Sequence, residues 1–235
     1  VGLIWLRRDL RLADNAALYH ALQQCEKLYC VFVFDDSILA ALPRADRRVE
    51  FICQSLTELD AALREAAGRA HTGLITRRGL PQDIIPALAW QLGAGAVFCN
   101  DDDEPAALAR DAQVARSLKS QGQLLLRFKD HRIFARDEVL TQSLSPFSVF
   151  TPYKNAWLRK ITPFYLSAYP SERNLASKLA DLPDTERRPI PTAAELGFAP
   201  DTLAGLRLPT GVSGARQLLA DFLPRLPQYK TARDF

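Results

Sequence analysis

"LYCVFVFD", residues 28–35, is the stretch on which the reading of the fold turns. It is apolar almost throughout and closes on an aspartate. A strand with one wet face alternates apolar and polar residues, whereas a near-continuous apolar run is expected when both faces of a parallel sheet are covered. Working outward, similar short runs recur: "GLIWL" (2–6), "TGLIT" (72–76), "AVFCN" (96–100) and "QLLLRF" (123–128). Helical patterns fill the intervals. One lies near 15–24, with Asp14 as a candidate N-cap. A long one lies near 47–67, with Val49, Ile52, Leu56, Leu59 and Leu63 at three- and four-residue steps and Gly68 as its stop. Pro81 opens another that ends by Gly93. Pro105 opens the last, with Leu108, Ala112, Ala115 and Leu118 assigned to one face and Gly122 closing it. Strand–helix alternation at this spacing predicts an α/β fold: a doubly wound, five-stranded parallel sheet in the order 3-2-1-4-5.

After about Lys129 the rhythm breaks. Residues 140–215 are rich in Ser, Thr and Pro and hold most of the chain's 15 prolines. The expected organisation is an α/β domain over 1–130, an inter-domain connector wrapped over the surface at 131–212, and the first helix of an all-helical domain at 213–235. In that helix Ala215, Leu218, Leu219, Phe222 and Leu223 form an apolar face with little left to pack against. The expectation is therefore a piece that stops at the start of a second domain.

Composition narrows the function. A 235-residue chain buries enough surface to need no disulfide staples. Its four cysteines form no CxxC pair and read as small buried hydrophobes in a reducing compartment. The three histidines have no partner at metal-ligand spacing. No apolar run reaches the roughly 18 residues of a membrane span. A net charge of +3 with no evident basic cluster predicts little or no DNA binding by these residues alone. The overall expectation is a cytoplasmic monomer without membrane contact.

In a doubly wound sheet, ligands bind beyond the carboxyl ends of the strands, near the switch point of strand order. Two polar segments belong there: "RRDLRLADN" (7–15) after the first strand and "NDDDEP" (100–105) after the fourth. With no GxGxxG after the first strand and no Walker A loop, ordinary dinucleotide and P-loop sites are disfavoured. The carboxylates of 101–104 admit three readings. They form a solvated loop favoured by the helix dipole, a hard-cation site, or acceptors for a polar ligand. Arg7, Arg8 and Arg11 with Asp9 and Asp14 read as a mutually neutralising network.

These residues also carry a resemblance. "IWLRRDLRLADNAAL" is similar to the opening of the photolyase/cryptochrome family, W-x-R-x-D-L-R-x-x-D-N. "RRVEFICQSLTELDAALR", "VFCNDDDEP" followed by "RDAQV", "FTPYKNAW" and "YKTARDF" continue it in family order. The resemblance implies the antenna half of a light-driven flavoenzyme that splits cyclobutane pyrimidine dimers in damaged DNA. Most of the FAD and lesion site would lie in residues beyond these, so this piece alone is expected to be inactive and to hold no FAD. Tyr229 resembles a residue that contacts FAD, and Arg233 one that approaches DNA. Asp102 and Glu104 are the leading antenna-binding candidates, with Phe32, Asp35, Arg48, Arg8 and Asp9 around them. Folate-binding members carry Asn-Glu where Ala106 and Ala107 stand here. The form of 100–105 looks more like members that take a deazaflavin (8-HDF), so 8-HDF is expected over methenyltetrahydrofolate. A cryptochrome-like photoreceptor and a stand-alone nucleotide-binding module are the alternatives. Trp5, Trp90 and Trp157 are expected to be packing residues, and Tyr153, Lys154 and Trp157 to pin the connector against the sheet.

Overall fold

The alternation along LYCVFVFD divides its side chains between two cores. Cys30, Phe32 and Phe34 join Ile4, Leu6, Leu74 and Phe98 on one side of the sheet, while Val31 and Val33 join Leu3, Trp5, Ile75, Val97 and Cys99 on the other. The computed structural model describes residues 1–135, 137–200 and 203–233. Strands β1 (Gly2–Leu6), β2 (Leu28–Asp35), β3 (Leu74–Gly79), β4 (Ala96–Asn100) and β5 (Leu124–Phe128) pair in parallel in the order β3-β2-β1-β4-β5. Helices α1 (Ala16–Gln24), α2 (Asp36–Leu39) and α3 (Arg47–Ala67) come first in the chain, followed by α4 (Pro81–Gln91) and α5 (Pro105–Ser120). The first core lies under α1 and α3, and the second under α4 and α5.

Local chemistry sets the ends of these elements. Helix α3 starts where Asp46 accepts from the Arg48 N–H, and it stops at Gly68 with φ +61°. Helix α1 is capped by Asn15, whose side chain accepts from the Leu18 N–H, and not by Asp14. Asp14 instead takes a left-handed φ of 50° and accepts from the Tyr169 N–H at 2.8 Å. Strand β3 starts two residues later than expected, because Asp60 of α3 accepts from the Leu74 N–H at 2.7 Å. It continues through Arg77 and Arg78, which pair with Glu186 and Asp36 respectively. On α5 the buried face is Ala107, Asp111, Val114 and Leu118, so the expected face was out of phase and Leu108 is 38% exposed.

The stretch read as a surface connector enters the core. Leu179 bridges Leu28 of β2, and the Ala180 and Leu182 N–H groups donate to Leu28 and His71 carbonyls at 2.9 and 2.8 Å. Leu175, Leu179, Ala193, Leu196 and Phe198 are buried in the α1–α3 core, and Leu182 in the other. Helices α6 (Phe150–Lys160) and α7 (Leu175–Lys178) lie within this stretch, and α8 (Gly211–Phe222) and α9 (Tyr229–Ala232) follow it. The rings of α6 meet their neighbours in the connector rather than the sheet. Trp157 lies edge-on to Phe134 and Tyr153 to Phe147. Trp5 is buried, but Trp90 is 69% exposed and packs into neither core. Helix α8 anchors on α3 through Ser213 and Glu58, leaving Leu218, Leu219 and Leu223 exposed.

All four cysteines are free thiols. Burial pushes Cys30 and Cys99 up to about 12 and Cys53 up to about 11. They are therefore neutral thiols near pH 7, as expected for small hydrophobes. Among the described residues no group of three His, Cys, Asp or Glu could hold a metal, and no helix is long and apolar enough to cross a membrane.

If residues 175–198 belong to the core, Phe198→Ala should cost about 3–5 kcal/mol in urea unfolding with an unchanged m-value. A loss below about 1 kcal/mol would show that this stretch only lies on the surface.

Candidate functional site

At the switch point itself, between the ends of β1 and β4, the chain fills the crevice with its own polar groups. Asn100, the last residue of β4, donates through Nδ2 to Asp9 Oδ2 at 2.6 Å and to Asn15 Oδ1 at 3.0 Å. Its Oδ1 accepts from the Ala17 N–H at 2.9 Å. Asn15 donates to the same Asp9 oxygen at 3.2 Å, while Asp9 Oδ1 accepts from the Arg7 N–H at 2.8 Å. Only a hollow of about 50 Å³ remains there. Asp9 and Asn15 of the loop 7–15 are thus committed to joining β1, α1 and β4, and the crevice between β1 and β4 is closed by them.

The usable space lies to one side, over the carboxyl ends of β1 and β2. A cavity of about 560 Å³ opens there, within the range of small-molecule sites. Trp5 and Leu6 of β1 and Phe32, Val33 and Phe34 of β2 line it. Val49 and Ile52 of α3 and Ala106, Ala107 and Ala109 of α5 add further lining. The parallel register sets Trp5 beside Val31 and Leu6 beside Phe32, so the last residues of both strands reach the same edge of the sheet.

The polar rim comes from the acidic loop. Arg8 contacts Asp102 at 3.2 Å through Nε and Glu104 at 2.6 Å through Nη2. Asp102 Oδ1 also accepts from the Glu104 N–H at 3.1 Å, which turns the chain into α5. The hydrogen bond that Arg8 donates to the Glu104 carboxylate is the main cause that raises the pKa of Arg8, with burial opposing it. The other two acids face away from the cavity. Asp103 pairs with Arg132 at 2.8 Å, and Asp101 lies 3.5 Å from Arg127 and 3.7 Å from Arg132. All four carboxylates therefore have arginine partners, and none depends on solvent alone.

Beneath the rim lies a cluster that the sequence reading missed. Asp111, 1% exposed, accepts from Arg7 Nη1 at 2.7 and 2.9 Å and from Arg110 Nη2 at 3.0 Å. Arg7 Nη2 also donates to the Asn100 carbonyl. Both guanidinium carbons stand over the Trp5 ring, 4.8 and 5.0 Å from its centroid. Arg110 faces the cavity and lies 3.9 Å from Asp35. The available signal was the charged Asp111 at an i, i+4 step from Ala107 on the face that buries Val114 and Leu118.

Of the seven antenna candidates, Asp102, Glu104, Phe32, Asp35, Arg48 and Arg8 line the cavity. Asp9 does not; it lies in the buried network at the switch point. Asp35 is engaged as the cap of α2, accepting from the Ser37 N–H and hydroxyl at 2.9 and 2.6 Å. Arg48 is held by Asp46 at 2.6 Å at the cavity mouth. Tyr229 is exposed on the single turn of α9 with Phe222 edge-on at 6.3 Å, and Arg233 follows it. Asp234 and Phe235, the rest of that motif, lie outside the described residues.

The DNA photolyase family model matches residues 2–173, a span that contains all five strands, both polar loops and every cavity-lining residue. This chain belongs to the DNA photolyase family. It is 33% identical to a deoxyribodipyrimidine photo-lyase of Synechococcus over 99% of this chain and 47% of that protein. The chain thus spans about half the length of that photolyase. In fold it matches a class III photolyase from Agrobacterium tumefaciens with a TM-score of 0.80, at 24% identity, covering all of this chain and 47% of that one. An archaeal photolyase from Sulfolobus tokodaii, described with two FAD molecules and the implication of a novel light-harvesting cofactor, is 27% identical. It covers 68% of this chain and 35% of its own, with a TM-score of 0.55.

Within this photolyase domain, Asp111 is the group whose loss should be felt most. Asp111→Asn takes the nearest carboxylate charge away from two largely buried guanidiniums, and only Arg110 keeps a second acid, Asp35, within 3.9 Å. It should lower stability by about 3 kcal/mol or more in chemical denaturation. A change under 1 kcal/mol would show that the cluster contributes little.

Proposed function

We propose that these residues form the light-harvesting half of a photolyase acting on cyclobutane pyrimidine dimers, and that the cavity over β1 and β2 holds the antenna ring. The observation that carries this is the cavity itself. One volume of about 560 Å³ joins aromatic and aliphatic walls to a charged rim of Arg8, Asp102 and Glu104. The apolar walls suit a flat conjugated ring, and the rim supplies charge-assisted hydrogen bonds to its edge. Burial among Phe32, Val49 and Ile52 would hold the ring in a fixed orientation, which energy transfer to a second pigment requires.

Among antenna classes we favour a deazaflavin over a folate. Ala106 and Ala107 line the cavity but carry no hydrogen-bonding side chain, so the positions that would grip a pterin in folate-binding members offer nothing to it. The described light-harvesting cofactor of the archaeal relative accords with an antenna in this family. The reaction would use FAD and damaged DNA bound mainly by residues beyond these. Tyr229 and Arg233 alone are one exposed phenol and one guanidinium, too little to enclose a flavin. The 235-residue chain by itself is therefore expected to hold no catalytic FAD and to bind DNA weakly.

Incubation with 8-HDF, FMN, FAD and methenyltetrahydrofolate followed by gel filtration tests this. We expect about one 8-HDF retained per chain, and little folate or FAD. Preferential retention of folate would overturn the ligand assignment, and retention of none of the four would overturn the antenna reading. Light-dependent dimer repair by the whole protein separates a photolyase from a cryptochrome-like photoreceptor.

A further inference from the structure

Helix α8 hangs from α3 by polar contacts. Gly214 is its single buried residue, and the apolar stripe of Leu218, Leu219 and Leu223 is exposed. With no buried apolar side chain along its length, α8 takes its direction from its first turn. Glu50, Gln54 and Glu58 stand at four-residue steps, one above another on the same side of α3. Glu50 Oε2 accepts from the Leu203 N–H at 3.0 Å, and Gln54 Oε1 from the Thr210 hydroxyl at 3.1 Å. Glu58 accepts twice from Ser213, through Oε1 from the N–H at 2.8 Å and through Oε2 from the hydroxyl at 2.7 Å.

A helix normally takes its cap from its own chain: the N-cap side chain accepts from the N–H two or three residues on. Thr210, the N-cap of α8, has a suitable hydroxyl but makes no such bond, and the Ser213 N–H goes to Glu58 instead. The cap is therefore supplied by another helix, as a carboxylate at the positive end of the α8 dipole. The turn is shaped to admit it. Gly211 takes φ +70°, and a Cβ there would collide with the Glu58 carboxylate. A Cβ on Gly214 would stand 2.6 Å from the Pro209 carbonyl carbon, so "PTGVSG" (209–214) folds this tightly only with glycine at both places. Hydrogen bonds are directional where apolar contacts are not, so a polar attachment fixes an angle as well as a position.

We propose that Glu58 is the positioning residue of a latch that sets the direction in which α8 leaves the antenna domain, with Glu50 and Gln54 holding the incoming chain against α3. On another face of the same helix, Val49 and Ile52 wall the cavity. One rigid helix thus ties the cavity to α8 and to the flavin-bearing half that α8 would open. Energy transfer depends on the relative orientation of two pigments as well as on their separation, so a fixed α8 has a use there that an untethered one lacks. That purpose rests on the antenna reading, whereas the latch stands on the contacts alone.

Spin labels at Lys119→Cys on α5 and Gln217→Cys on α8 measure the direction of α8 by pulsed dipolar spectroscopy. A Cys25→Ala chain serves as the background, because the other three cysteines are buried. With the latch intact, one narrow distance distribution is expected. Glu58→Ala should broaden it and speed exchange of the Ser213 amide about fivefold, the usual effect of losing a cap. Glu58→Gln, whose amide can accept from the Ser213 N–H and donate to its hydroxyl, should keep the distribution narrow. The midpoint of urea unfolding should change little in either variant, because Leu56, Leu59 and Leu63 still fill the core. An unchanged distribution in Glu58→Ala would overturn the inference, and so would a broad one with the latch intact. Equal broadening in Glu58→Gln and Glu58→Ala would also overturn it, since glutamine can make both bonds. None of these results touches the antenna reading, which ligand retention decides. If Glu58→Ala fails to fold, Gly211→Ala decides alone by pushing the turn off the carboxylate: a broadened distribution supports the latch, and an unchanged one overturns it.

Discussion

A single buried carboxylate holds the functional edge of this domain together. Asp111 reaches from α5 to Arg7, the residue that follows β1, while Arg7 holds the carbonyl that ends β4. Three elements from distant parts of the chain thus meet at one charge. The arrangement is stable because its charges are matched: Asp111 is met by Arg7 and Arg110, with Arg127 at 4.0 Å, and Arg7 and Arg110 rest on the face of Trp5. A buried charge cluster of this kind costs desolvation, and its value lies in the large penalty for breaking it. Its position, directly below the cavity, fixes where Arg110 and Trp5 stand.

The location of the cavity follows from a second constraint. Open α/β sheets commonly bind ligands where strand order reverses. Here Asn100, Asp9 and Asn15 close that point with hydrogen bonds, and the space moves to the neighbouring strand ends of β1 and β2. The acidic loop after β4 still contributes, because its turn into α5 carries Asp102 and Glu104 sideways to the rim. Its outer acids, Asp101 and Asp103, spend their charge on Arg127 and Arg132. One run of four acids thus does two jobs, tethering the loop on one side and shaping a binding rim on the other.

Much of this was legible in the sequence, and the exceptions share a cause. The strands announced themselves as apolar runs because both sheet faces are covered. Helix α3 matched its expected bounds of 47–67 because a capping aspartate and a left-handed glycine mark its ends. Hydrophobic periodicity misjudged the buried face of α5 because one of its members, Asp111, is charged, and only a partner distant in sequence explains its burial. Asp14 was the expected cap of α1, but Asn15 caps it, and Asp14 instead accepts from Tyr169, more than 150 residues later. Residues 175–198 carry their buried leucines and Phe198 on irregular, proline-interrupted backbone, where no period exists to reveal them. In the site, six of the seven candidates converge on the cavity, and Asp9 was displaced by the inward turn of its loop.

The central claim is that the ligand space lies over β1 and β2, walled by α3 and α5, and not in the crevice between β1 and β4. A crystal structure of this chain grown with 8-HDF addresses that claim directly. Density for a flat tricyclic ring between Phe32 and the alanines of α5, with its edge at Arg8 and Glu104, is the predicted result. Density seated against Asn100 and Asp9, with their hydrogen bonds opened to admit it, would contradict the account.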